Sequence, residues 1–167
     1  MSKDEVIFRR FAPADTDNVW HLHTTASQDV GVCSPEGTWG DDLRNIGEVY
    51  IKSGGDFMVA HIGSDFAAMG GLKPLDNDVV ELKRMRVHPS FQRRGLGRRI
   101  LRELESRAVA LEFKQIVLDT TTIQVGAQRL YESTGYVRRR EGILDGYAVI
   151  FYEKRLTGRD EFSMPGK

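Results

Sequence analysis

Apolar residues along this chain repeat with two different periods. Residues 96–111 place Leu96, Ile100, Leu101, Leu104, Ala108 and Leu111 at spacings of one to four, which lie on one face of a helix. Shorter runs rich in β-branched and aromatic side chains predict strands at residues 6–11, 57–62, 66–72, 79–87, 115–120, 136–140 and 147–156. Gly63-Ser64-Asp65 and Asp76-Asn77-Asp78 supply turns between successive strands. Pro13, Asp15 and Asp17 open a first helix carrying Val19, Trp20, Leu22 and His23. Residues 27–40, with three glycines and a proline, read as a loop. Residues 41–51 predict a second helix through Leu43, Ile46, Val49 and Tyr50, stopped by Gly54-Gly55. Residues 124–133 predict a last helix, closed by Gly135, and a Gly-containing loop joins the final two strands.

The element order is therefore β-α-α-β-β-β-α-β-α-β-β. A central β-α-β unit requires parallel neighbours, whereas the hairpins before and after it pair antiparallel. The pattern predicts an α/β (mixed α+β) fold: one mixed, mostly antiparallel sheet of about seven strands with helices on both faces. Residues 1–156 read as a single domain and 157–167 as a flexible polar tail.

The strand at 79–87 breaks its own alternation. Leu82 is apolar at an even position, Met85 and Val87 at odd ones. Either the three share a face and the phase slips between Leu82 and Met85, as in a β-bulge, or the strand is buried on both sides. Beyond His88-Pro89 comes Gln92-Arg93-Arg94-Gly95-Leu96-Gly97, and the long helix starts at once. A strand, a basic glycine turn and a helix start present unpaired N–H groups and partial positive charge to an anion, and glycine lets it come close.

Charge sharpens this. Lys+Arg and Asp+Glu both number 24 in 167 residues, which argues against a general polyanion binder. Yet residues 83–102 hold eight Lys or Arg and no acid. A local basic patch in a neutral chain suits a small anionic ligand. A nucleic-acid surface is disfavoured further because only Phe91 supplies an aromatic within the patch. The lone Cys33 excludes an internal disulfide and a multi-cysteine metal site, and no metal is expected. No apolar run reaches membrane-spanning length, and the first residues lack a secretory h-region, so a soluble cytoplasmic protein is expected.

The glycine turn fits the pattern Q/R-x-x-G-x-G/A throughout. The preceding Glu81-Leu82-Lys83-Arg84-Met85-Arg86-Val87-His88-Pro89 and the later AQRLYESTGY (residues 127–136) complete a set of three elements that resembles the GNAT superfamily of N-acetyltransferases. The likeness covers roughly residues 6–156. It implies acetyl-CoA as co-substrate, held through backbone N–H groups in the stretch Gln92, Arg93, Arg94, Gly95, Leu96, Gly97 and Arg98. It implies that the backbone of Met85, Arg86 and Val87 pairs with the pantetheine arm, the Val87 N–H polarising the thioester carbonyl. Tyr131 takes the position of the general acid near the sulfur. Ala127 belongs to the same cofactor-binding helix. Gln124 stands where many members have Asn, and Tyr136 where many have Phe.

Acetyl transfer to an amine needs a base, a donor for the developing oxyanion and an acid near the thiolate. Glu81 is the candidate base, against the plainer reading of a surface Glu paired with Lys83 or Arg84. Asp78 lies too close to a turn, and His61 and His88 read as structural. Tyr131 could instead be a core aromatic, and Arg98, Arg99 and Arg102 a solvated helix face. Cys33 has no His partner nearby and is not needed for direct transfer. The acceptor is expected between the 27–40 loop and the second helix, near Trp20, Cys33 and Trp39. Asp29, Glu36, Asp41 and Asp42 there would favour a cationic amine. The resulting expectation is an acetyl-CoA-dependent N-acetyltransferase acting on a small-molecule or peptide amine in a ternary complex. The alternative is a non-catalytic acyl-CoA-binding module on the same fold. Two copies could pair through C-terminal edge strands.

Overall fold

Seven strands build one sheet in the computed structural model, which describes residues 5–31 and 40–156. They are β1 (Val6–Arg10), β2 (Asp56–Ile62), β3 (Asp65–Pro74), β4 (Val79–Val87), β5 (Gln115–Thr121), β6 (Val137–Leu144) and β7 (Tyr147–Arg155). Their order is β1-β2-β3-β4-β5-β7-β6, and only the β4–β5 pair is parallel. Among the described residues three α-helices accompany them: α1 (Thr16–Val30), α2 (Leu96–Ala110) and α3 (Val125–Ser133). Among the described residues no helix is long and apolar enough to cross a membrane.

The two faces of the sheet carry separate cores. On one, Ile100, Leu101, Leu104 and Ala108 of α2 pack on Leu72, Val80, Leu82, Ile116 and Leu118. On the other, Val19 and Leu22 of α1 join Leu43, Ile46 and Tyr50 over Phe57, Val59 and Met69. Each fully buried Leu or Ile contributes about 1.5–3 kcal/mol by leaving water. β3 is thinned at Gly70 and Gly71 to admit both layers. A Cβ on Gly70 would lie 2.5 Å from Leu104 Cδ1, and one on Gly71 would lie 2.7 Å from Tyr50 Cε1.

Three stretches differ from the sequence expectation. α1 runs on through Ser27 to Val30, into the predicted loop, because Gly31 (φ 71°) is the first residue that readily takes the left-handed cap. Residues 41–51 are not one α-helix. Asp41–Arg44 forms a 3₁₀ turn, Asn45 (φ −131°) interrupts it, and Gly47–Ile51 winds as a wide π turn. There the Lys52 N–H reaches the Gly47 carbonyl and the Gly55 N–H that of Tyr50, both at 2.8 Å. Burying Leu43, Ile46 and Tyr50 in one core outweighs regular winding. Finally, β6 extends to Leu144, and the loop before β7 is only Asp145-Gly146. Their φ angles of 50° and 82° make the tight turn that suits the strand twist.

β4 resolves the question of phase. Gly71 pairs with Lys83 and Met69 with Arg86, so Arg84 and Met85 together face Gly70. That extra residue is a bulge, with Arg84 at φ 58°. As a result Val80, Leu82, Met85 and Val87 all meet the α2-side core. Lys83, Arg84 and Arg86 are thrown to the α1 side. Pairing of β4 with β5 ends at Glu81–Val117, while β5 continues beside β7 to Thr121. The two central strands part above that point.

Candidate active site

The gap between β4 and β5 is a cavity of about 350 Å³. Its walls come from four places: Leu82, Lys83, Arg84, Met85 and Arg86 of β4; Asp119, Thr120 and Thr121 of β5; Gln124, Ala127 and Tyr131 at and along α3; and Leu144, Asp145 and Tyr147 at the β6–β7 turn. Ser27 of α1 and Val149 complete it. The His88 N–H bonds the Ala67 carbonyl at 2.8 Å, so His88 and Arg86 face β3. By alternation the Val87 N–H points to the open side.

The basic turn stands at the α2 end of this gap. Arg93 (φ 63°) and Gly95 (φ 76°) are both left-handed, so the turn curls its N–H groups into the concavity that binds anions. A Cβ on Gly95 would project into open space, and α2 begins at Leu96 with its first N–H groups free of internal partners. Leu96 is buried and anchors the helix start. Gly97 lets that start lie against α3, its absent Cβ being 3.3 Å from Leu130 Cδ2. The Gln92 side chain donates to the Val87 carbonyl at 3.2 Å and ties the turn to the end of β4. Arg94 stacks over Phe91 at 5.5 Å, Arg98 donates to Ser133 Oγ at 3.0 Å, and Arg99 stacks over Phe8 at 5.0 Å. An open left-handed turn, free helix N–H groups and an unpaired strand edge fit a nucleotide-linked thioester such as acetyl-CoA.

Tyr131 is buried, with its hydroxyl 4.0 Å from Met85 Sδ and its ring edge-on to Tyr136. Burial pushes the phenol up to about 12, against a smaller opposite pull from Arg86. Gln124 accepts at Oε1 from Thr121 Oγ1 (2.9 Å) and Thr120 Oγ1 (3.2 Å). Its Nε2 makes no hydrogen bond among the described residues and can donate into the cavity.

Glu81 lies beside Val117 at the last paired rung, with Lys83 Nζ 3.7 Å away, and does not line the cavity. Asp119, two residues further along β5, does line it, on the same face as Glu81. Asp119 is exposed at the mouth of the cavity; the partial screening of its carboxyl by the walls and the negative charge of Glu81 push it above its ordinary value. Sequence reasoning passed over Asp119. It follows three apolar strand residues and becomes a cavity group only because β4 leaves β5 below it. His61 bonds the Gly63 carbonyl, and His88 accepts from the Ser90 N–H, so both have structural partners. Trp20 packs in the α1 core under Arg44 and is absent from the cavity wall. Cys33, Glu36 and Trp39 lie outside the described residues. Among the described residues no three His, Cys, Asp or Glu side chains gather as metal ligands.

Asp42 is not available to a cationic amine. Arg84 holds it through Nη2 (2.7 Å) and Nε (3.0 Å), and Tyr50 donates its hydroxyl as well. Burial pushes the Asp42 carboxyl up, but Arg84, Tyr50 and Lys83 together outweigh it and hold the carboxyl below the usual range. The Arg84–Asp42 fork also restrains the left-handed residue of the bulge.

The sequence profile of the Acetyltransferase (GNAT) family matches residues 19–136. The chain belongs to that family. Among relatives of this GNAT chain, human N-acetylaspartate synthetase is 32% identical over 110 residues, which is 65% of this chain but only 36% of that protein. A GNAT-family acetyltransferase from Staphylococcus aureus Mu50 superposes with a TM-score of 0.83 at 20% identity, covering 92% of this chain and all of that one. The structure of yncA of Salmonella typhimurium with acetyl-CoA gives a TM-score of 0.77 at 20% identity, covering 91% of this chain and 94% of that one. At that identity both structures speak for the shared fold.

Proposed function

We propose that this protein is an acetyl-CoA-dependent N-acetyltransferase that acetylates a primary amine by direct attack in a ternary complex. The observation that carries this reading is the parting of bulged β4 from β5, with the Val87 N–H on the open side and Tyr131 lining the gap beside Met85. Acetyl-CoA supplies the activated acyl group and a thiolate leaving group. The N–H groups of Arg93, Arg94, Gly95, Leu96, Gly97 and Arg98 hold its phosphates. Gln92 braces that turn, and the backbone of Met85, Arg86 and Val87 receives the pantetheine arm as an added strand. Gln124 Nε2 and the wall at Ala127 border the same channel. The Val87 N–H donates to the oxygen that gains charge during transfer. Tyr131, kept neutral by burial, gives its proton toward the departing sulfur.

Proton removal from the amine falls to Asp119, with Glu81 behind it. Glu81 raises the affinity of Asp119 for a proton and so improves it as a base near neutral pH. The name of the human relative, N-acetylaspartate synthetase, supports a small-molecule acceptor. Release of free CoA from acetyl-CoA across a panel of primary amines tests the reading. At least one amine is expected to drive turnover, and CoA binding without turnover on any amine would overturn it. Asp119→Asn is expected to lower kcat about 10²-fold and to flatten the acidic limb of the pH–rate profile. Glu81→Gln is expected to shift that limb to lower pH while leaving more activity. If Glu81→Gln removes the limb and Asp119→Asn does not, Glu81 is the base itself.

A further inference from the structure

We propose that the acceptor amine also carries a carboxylate, and that the Arg86 guanidinium seats it; this rests on the acetyl-transfer reading above. The bulge at Arg84 and Met85 places the Arg86 side chain on the α1 side of β4, opposite α2 and the turn at Gln92 that faces the phosphates. Arg86 lines the cavity together with Lys83 and Arg84. Those two are engaged. Arg84 forks onto Asp42, and Lys83 stands 3.7 Å from Glu81. Arg86 is different. Its Nη1 donates to the Met85 carbonyl at 2.9 Å, and among the described residues no carboxylate comes within ion-pair distance.

A half-buried guanidinium without a counter-charge is costly to hold. Burial and the neighbouring Arg84 push its pKa down to about 10, which reflects that cost. The remaining donors of its planar fork match the two oxygens of a carboxylate. Asp119 lines the same cavity on the next strand and the same face, and it feels the charge of Arg86 without bonding to it. An acceptor whose amine meets Asp119 and whose carboxylate meets Arg86 has the chemistry of a free amino acid. A purely cationic amine would leave the Arg86 guanidinium unmatched and bring a second positive charge beside it, which disfavours it. Of the acids that argued for such an amine, the three among the described residues do not oppose this. Asp42 is held by Arg84, while Asp29 and Asp41 are exposed and absent from the cavity wall.

The test pairs each acceptor with a partner lacking the charge: free amino acids, acidic ones included, against their carboxamides and against simple diamines. With the intact protein and saturating acetyl-CoA, kcat/KM is expected to favour the free carboxylate by about 10²-fold. Arg86→Met, which keeps the apolar stem, is expected to erase the preference chiefly through the acceptor KM, and Arg86→Lys to restore part of it. Melting curves check that both variants fold. Calorimetry of the same ligands on the CoA-loaded protein gives a readout independent of turnover. Carboxylate binding that is lost in Arg86→Met, with no turnover on any amine, would sink the transferase reading and leave the carboxylate seat standing. Turnover that is equal or better with carboxamides or diamines would overturn the seat and leave the transferase. A carboxylate preference unchanged in Arg86→Met would also overturn it.

Discussion

Tyr131 is a phenol in a dry place. Among the described residues its hydroxyl has no hydrogen-bond partner but the Met85 sulfur, at 4.0 Å, so removing it costs little hydrogen bonding. Tyr131→Phe is therefore expected to keep the melting temperature and to lower kcat about 10²-fold, which steady-state rates beside a thermal melt would check. Because its pKa is raised to about 12, the phenol stays protonated through neutral and mildly alkaline pH. The rate should show no alkaline fall assignable to this group below about pH 10. The identity of Tyr131 was legible in AQRLYESTGY, since its place before Gly135 and Tyr136 is a local pattern. Asp119 was not legible as a site group, and Arg86 was legible only through its backbone, not through its side chain. Each sits in an ordinary strand sequence, and what matters is which neighbour is missing: a strand beside Asp119 and, among the described residues, a carboxylate beside Arg86.

β4 and the start of α2 are the elements on which the site depends. The phase slip among Leu82, Met85 and Val87 could be read from the chain as one of two possibilities. The partner register of β3 decided for the bulge, because Arg84 and Met85 share a single opposite residue, Gly70. The glycine turn was legible outright, since Gly95 needs its left-handed φ and Gly97 its lack of a side chain. Gly97→Val is expected to force α2 off α3, because even a Cβ would stand 3.3 Å from Leu130 Cδ2. The expected result is a loss of about 1–3 kcal/mol in stability, with the KM for acetyl-CoA rising more than that for the amine. Denaturant melts and initial rates would measure both, and an unchanged acetyl-CoA KM would count against the turn as the phosphate site. The segment 41–51 was misread as an α-helix because 3.6-residue periodicity cannot reveal that one core will draw Leu43, Ile46 and Tyr50 in through a 3₁₀ and a π turn.

At the scale of the whole molecule, the layer between α1 and the sheet holds two groups that make the fold acid-sensitive. His23 is buried and neutral, pushed down to about 4 by burial and then by Arg86 and Arg84. The unfolded chain takes up that proton near pH 6.5, so between about pH 6.5 and 4 the unfolded state binds more protons and stability falls as pH falls. The shift corresponds to about 3 kcal/mol. Asp42 acts lower down. Its folded pKa is depressed, so its contribution is present above the unfolded value near 3.9 and is lost as pH falls through the folded one. Urea unfolding from pH 7 to pH 3 should therefore show a first decline below pH 6.5 and a steeper one below pH 4. A His23→Gln variant should lose the first and keep the second.

The sequence by itself determined the order of the strands and of three of the four predicted helices, the mixed sheet with helices on both faces, the basic glycine turn before α2 and the family. These are written in local periodicity, in glycine positions and in short motifs, each of which needs only a few adjacent residues. Tertiary structure alone decided where β4 leaves β5, which strand carboxylate, Asp119, faces the cavity, and which arginine is left without a counter-charge among the described residues. Those outcomes depend on distances between residues far apart in the chain. Arg84 meets Asp42 across 42 positions, and that pairing occupies Arg84 but not Arg86, two residues further along the same strand, which among the described residues has no carboxylate within ion-pair distance.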